Sequence, residues 1–227
     1  MDPVEAKVNL GDYEVTTLTY AAPKAAHRLV LAHGAGADQR HAFMVRAAKT
    51  LAAAGIEVTT FNFGYTERKR KAPDPAEVLE RCFRAVVHAQ AQRAPGPLFL
   101  GGKSMGGRIA SQIVAGGSLE ADVRGLVFLG YPLHPPGKPT QLRVAHWPKV
   151  DVPQLFVQGT RDPFGTVEEL TTHLPKLGAP STVHTVEQGD HSFAVPKKLG
   201  VPQDEIDARM FAAIASWIES TTRAQKP

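Results

Sequence analysis

One cysteine, Cys82, is all the thiol this 227-residue chain carries. A lone cysteine excludes an internal disulfide. It lies in a helix-like segment and reads as a small buried apolar residue. Long hydrophobic runs are missing too. Nothing approaches the ~18 apolar residues of a membrane span, so no membrane insertion is expected. Met1-Asp2-Pro3-Val4-Glu5 has no basic stretch followed by an apolar one, which argues against a signal peptide. Together these absences predict a cytoplasmic protein. The histidines at 27, 41, 88, 134, 146, 173 and 184 show no metal-ligand spacing such as H-E-x-x-H, and no metal or cofactor is expected. The net charge is +4, with much of the excess in Arg68-Lys69-Arg70-Lys71. No aromatic residues interleave that run and no nucleic-acid motif accompanies it, so no nucleic-acid partner is expected. The run reads as a solvated loop, with attraction of anionic substrates or surfaces as the alternative. No internal repeat or low-complexity tract is visible.

What is present is a core-forming composition, 43% hydrophobic, sized for one domain over residues 1–227. Short apolar runs alternate with amphipathic stretches. Strands are predicted at Val15–Tyr20, Arg28–Ala32, Glu57–Phe63, Leu98–Gly101, Gly125–Leu129, Gln154–Gln158 and Ser181–Val186. Helices are predicted at Phe43–Ala54, Ala76–Gln92, Arg108–Ala115, Val167–Leu174 and Gln203–Thr221. Asp74 or Pro75 is the start signal for the second of these. Alternation of this kind predicts an α/β fold, a mostly parallel central sheet flanked by helices. After Leu129 comes an irregular stretch with Pro132, Pro135, Pro136, Pro139 and Pro148, long for a connection. It reads as a cap-like loop over the site, with no large helical lid.

Gly101-Gly102-Lys103-Ser104-Met105-Gly106-Gly107 carries the chemistry. A strand precedes it and a helix follows, the setting of a nucleophile elbow, G-x-S-x-G. Gly102-Lys103-Ser104 also ends like a phosphate-binding P-loop. That motif requires glycine where this chain has Pro97, and a loop where Leu98-Phe99-Leu100 reads as a strand. A serine hydroxyl needs a base, and the base needs a carboxylate to orient it. In an open parallel sheet such groups lie beyond the carboxyl ends of the strands. Asp162 and His191 follow the last two strands in the order Ser, Asp, His. The expected catalytic residues are therefore Ser104, Asp162 and His191. Asp190 reads as a turn residue and His33 as a structural residue shaping its loop. The expected oxyanion donors are the backbone N–H groups of Met105 and Ala35, with Gly36 as second choice for the latter. Phe63, Tyr131, Pro132, Leu133, Phe164 and Phe193 each follow a strand and are candidates for the substrate-pocket wall.

With these residues placed, the chain resembles the α/β-hydrolase superfamily. His33-Gly34-Ala35-Gly36, Gly102–Gly106, Gly159-Thr160-Arg161-Asp162 and Asp190-His191-Ser192-Phe193 occur in its order. Gly101–Arg108 together with Gly130–Lys138 is similar to a small, lid-poor, dienelactone-hydrolase-like group. That group includes bacterial hydrolases and animal chromatin-associated or testis-expressed relatives. The resemblance implies the α/β-hydrolase fold and a serine triad, but no substrate. Dienelactone hydrolases proper use a cysteine nucleophile, which Ser104 replaces here. The expected activity is hydrolysis of short-chain carboxylic esters or thioesters through an acyl-enzyme. The alternatives are a hydrolase-fold interaction module, or an acyltransferase or perhydrolase using the same triad. The expected partner is a small-molecule ester or thioester; the sequence leaves the oligomeric state open.

Overall fold

The computed structural model describes residues 2–23 and 25–225. Its centre is an eight-stranded sheet in the order β1-β2-β4-β3-β5-β6-β7-β8. The strands are β1 (Val4–Asn9), β2 (Glu14–Tyr20), β3 (His27–Ala32), β4 (Ile56–Phe61), β5 (Leu98–Lys103), β6 (Val123–Leu129), β7 (Gln154–Gly159) and β8 (Ser181–Val186). β1 and β2 pair antiparallel, as do β2 and β4; every later pairing is parallel. The helices are α1 (Ala42–Ala53), α2 (Gly64–Glu67), α3 (Ala76–Arg93), α4 (Met105–Ala115), α5 (Val167–His173) and α6 (Gln203–Ala224). This is the α/β-hydrolase fold.

Successive side chains of a strand face opposite ways. In a sheet covered on both faces, each strand therefore feeds two core layers. Leu29, Leu31, Phe99, Val127, Leu155 and Val157 belong to one layer, beneath α1 and α6. Val30, Leu100, Leu126, Phe128 and Phe156 belong to the other, beneath α3 and α4. The stripe predicted on the closing helix serves the first layer, with Ile206, Met210, Phe211, Ile214 and Ile218 all buried. Cys82 is fully buried in the second layer, where burial pushes its thiol up to about 12. No helix among the described residues is long and apolar enough to cross a membrane.

β1 is absent from the sequence reading. Four of its six residues in a row are exposed, so it lacks the apolar alternation that marks a strand. It is defined by its hairpin pairing with β2. Asp74 does not cap α3: Pro75 takes the N-cap position, and the Asp74 carboxylate turns to Arg68 and Arg70. Part of the basic run is thus neutralised. The stretch between β6 and β7 holds one short 3-10 turn, Trp147–Lys149, and the buried Trp147 anchors it in the core.

Candidate active site

Parallel strands bring their carboxyl ends to one edge, and the candidate residues sit there. Ser104 follows β5 directly, at φ +50° and ψ −115°. This left-handed backbone is rare outside glycine. It is enforced by close neighbours. A Cβ at Gly102 would lie 2.6 Å from the Ala32 carbonyl oxygen, and one at Gly106 would lie 2.5 Å from that same oxygen. The Ser104 N–H donates to the Leu129 carbonyl at 3.0 Å, and its carbonyl accepts from Arg108 N–H at 3.2 Å. Lys103 belongs to β5, so the segment is a strand-to-helix corner rather than a phosphate loop.

His191 Nε2 lies 2.8 Å from Ser104 Oγ, and His191 Nδ1 lies 2.7 Å from Asp162 Oδ2. An ionised carboxylate only accepts, which assigns the ring proton to Nδ1 and leaves Nε2 to accept from the hydroxyl. Asp162 is buried. Its Oδ2 also accepts from Gln158 Nε2 at 3.0 Å, and its Oδ1 accepts from the Phe164 N–H at 2.8 Å. The Phe164 ring lies against the imidazole, with centroids 4.2 Å apart. Such an arrangement can carry a proton from serine to imidazole and stabilise the imidazolium.

Two supports were not anticipated from sequence. Gln158, at the end of β7, also donates to Gly165 O at 2.6 Å and accepts from Tyr131 N–H at 2.8 Å. Lys103 Nζ donates to the His191 carbonyl at 2.5 Å and lies 5.1 Å from the Phe193 ring centre. Burial pushes Lys103 down to about 8, against the pull of Asp162 and Asp190. The only hint of either role is position: one residue before the candidate nucleophile, and four before the candidate carboxylate.

The cleft above Ser104 has a volume of about 620 Å³. Ala35, Met105, Pro132 and Phe164 line it, together with Ser104 and His191. Met105 is the first residue of α4, where backbone N–H groups point outward free of helical partners. Gly36 lines a neighbouring depression with Asp38 and Lys69 instead. Four residues expected in the pocket wall lie elsewhere: Phe63, Tyr131, Leu133 and Phe193 are buried core residues that do not line the cleft. Phe63 packs edge-on against His33 and Phe61. Phe193 packs near Phe43. Tyr131 meets Trp147 and Phe156, and its hydroxyl accepts from Trp147 Nε1 at 3.1 Å. Leu133 packs in the same layer, behind Gly165. Position after a strand does not distinguish a wall residue from one that closes the core.

His33 ties its loop together. Its Nδ1 donates to the Gly34 carbonyl at 2.8 Å, and its Nε2 accepts from Phe63 N–H and the Thr66 hydroxyl, each at 3.3 Å. Burial lowers its pKa and favours this neutral form. Asp190 occupies a turn, where Oδ1 accepts from the N–H groups of Ser192 and Ala194.

The alpha/beta hydrolase domain family matches residues 25–219. The chain belongs to that family. Among solved structures it is similar to a dienelactone hydrolase from Anabaena variabilis, at 17% identity and a TM-score of 0.72. That match covers 97% of this chain and 99% of the other. A lidless a/b serine hydrolase from Xanthomonas campestris matches at 17% identity and a TM-score of 0.67, covering 100% of this chain and 96% of the other. A cold-adapted esterase from an Arctic intertidal metagenomic library matches at 16% identity and a TM-score of 0.65, covering 94% and 92%. At these identities the likeness is one of fold.

Proposed function

We propose that this protein is a serine hydrolase of short carboxylic esters or thioesters. The observation that carries the reading is the unbroken hydrogen-bonded chain from Ser104 Oγ and His191, which line the cleft, to the buried Asp162. In this reading Ser104 attacks the carbonyl as His191 Nε2 takes its proton. Asp162 holds the imidazolium that forms. The oxyanion is received by the N–H groups of Met105 and Ala35, each worth about 3 kcal/mol of transition-state stabilisation. His191 returns its proton to the leaving group. Water, deprotonated by the same base, then releases the acyl group and frees Ser104. Esterase and dienelactone hydrolase structures on the same fold support this class of reaction. The lack of a helical lid insertion between β6 and β7 favours short acyl groups.

A fluorophosphonate probe is expected to label the wild type and not Ser104→Ala. In parallel, hydrolysis of 4-nitrophenyl acetate should fall by about 10³-fold or more in that variant. A folded wild type that neither takes the label nor turns over the ester would refute the reading.

A further inference from the structure

Most charges around the cleft are compensated. Arg46 pairs with Asp207 at 2.9 Å, and Asp74 with Arg68 at 2.9 Å and with Arg70. Lys103 is held by the His191 carbonyl and lies near Asp162. Arg108 and Arg143 also line the cleft, and neither has an acidic partner among the described residues.

Arg108 lies one helical turn beyond Ser104. Its Nη1 donates only to a neutral amide, Gln112 Oε1 at 3.0 Å, and its Nε is buried with no acceptor. Arg143 is presented from the loop between β6 and β7 by its own backbone. Its N–H donates to the Leu133 carbonyl at 2.8 Å, and its carbonyl accepts from the Tyr131 hydroxyl at 3.0 Å. Its guanidinium meets no protein acceptor among the described residues. Tyr131 and Leu133 therefore bear on the cleft through Arg143 rather than as its wall. Both side chains line the one cleft, and the positive charge of Arg108 adds to burial in lowering the pKa of Arg143. Burial and Arg108 also push the nearby His146 down to about 4, which keeps a third cation from forming there.

Two half-buried like charges that share a cleft and lack a counter-ion favour an anion that joins them. We propose that Arg108 and Arg143 form a carboxylate-binding subsite, and that the substrate is an ester or thioester carrying a free carboxylate a short spacer away from the scissile carbonyl. The proposal rests on the hydrolase reading above. Ser104 and Arg108 line the same cleft from the first turn of α4, about 6 Å of helical rise apart, which favours a short spacer. The planar fork of a guanidinium matches the two oxygens of a carboxylate. Phe43, Met44 and Leu79 supply an apolar wall for the spacer.

Monomethyl glutarate and dimethyl glutarate share a skeleton and differ in charge. By pH-stat titration, the wild type should prefer the monoester by at least about tenfold in kcat/KM. In the Arg108→Gln/Arg143→Gln variant the ratio should collapse to about one, with partial recovery in the double lysine variant. Calorimetry of glutarate with Ser104→Ala should show binding that the added Arg→Gln pair removes, with circular dichroism confirming that each variant is folded. Bound glutarate without turnover of either ester would sink the hydrolase reading and leave the subsite standing. Equal turnover of the two esters by wild type, or no glutarate binding, would overturn the subsite. Inorganic phosphate binding more tightly than glutarate would overturn the carboxylate assignment.

Discussion

At Gly102 a single added methyl would sit 2.5 Å from Gly106 C and 2.6 Å from Ala32 O, both backbone atoms that cannot swing aside. Overpacking of this kind costs about 1–3 kcal/mol even where side chains can adjust. Gly102→Ala is therefore expected to lose at least about 3 kcal/mol, read from the urea midpoint; a midpoint within error of wild type would contradict the geometry. His146 gives a pH dependence of definite sign. Its Nε2 is 2.7 Å from Ser111 Oγ, and its pKa falls from 6.5 to about 4 on folding, burial being the larger cause and Arg108 the smaller. The unfolded chain therefore binds the extra proton between those values. Stability is fully present above pH 6.5 and is lost as pH falls towards about 4. His146→Gln should flatten that part of the denaturation profile, and an unchanged slope would remove His146 as its source. Residues such as Gln158, Lys103 and Arg143 were unreadable beforehand for one reason. Their roles depend on which atoms each side chain or backbone group meets once the chain is folded, whether nearby, as for Gln158 and Asp162, or distant, as for Lys103 and His191, and no residue pattern encodes those choices.

At the scale of elements, most of the sheet was legible because buried parallel strands are short apolar runs. Leu98–Leu100 and Gly125–Leu129 announce themselves in this way. The chain order Ser104, Asp162, His191 was legible because each residue follows its own strand, and strand ends gather at one edge. The Tyr131–Leu133 segment shows where such reading stops. Both residues follow β6 on the expected side, yet both turn into the layer of Phe156 and Trp147. A strand end identifies an edge of the molecule, but packing decides which side chains face outward from it. β1 fails for the opposite reason: an exposed edge strand leaves no apolar signature, and only pairing reveals it.

Across the whole molecule, the candidate groups are distributed unevenly with respect to stability. Ser104 hangs on β5, paired on both sides and covered on both faces. His191 follows β8, which ends the sheet, pairs only with β7, and has one buried residue of six. Backbone segments open locally with free energies well below that of global unfolding, and exposed edges are among the first to do so. Ser104 and His191 thus belong to regions of different cooperativity. In mild urea, fluorophosphonate labelling should fade before the far-ultraviolet circular dichroism changes, and amide exchange in residues 181–191 should outpace that in 98–104. Superimposed transitions would contradict this order. Were β8 to fray without releasing the core, Ser104 would lose its hydrogen bond to His191 while the rest of the sheet stayed folded.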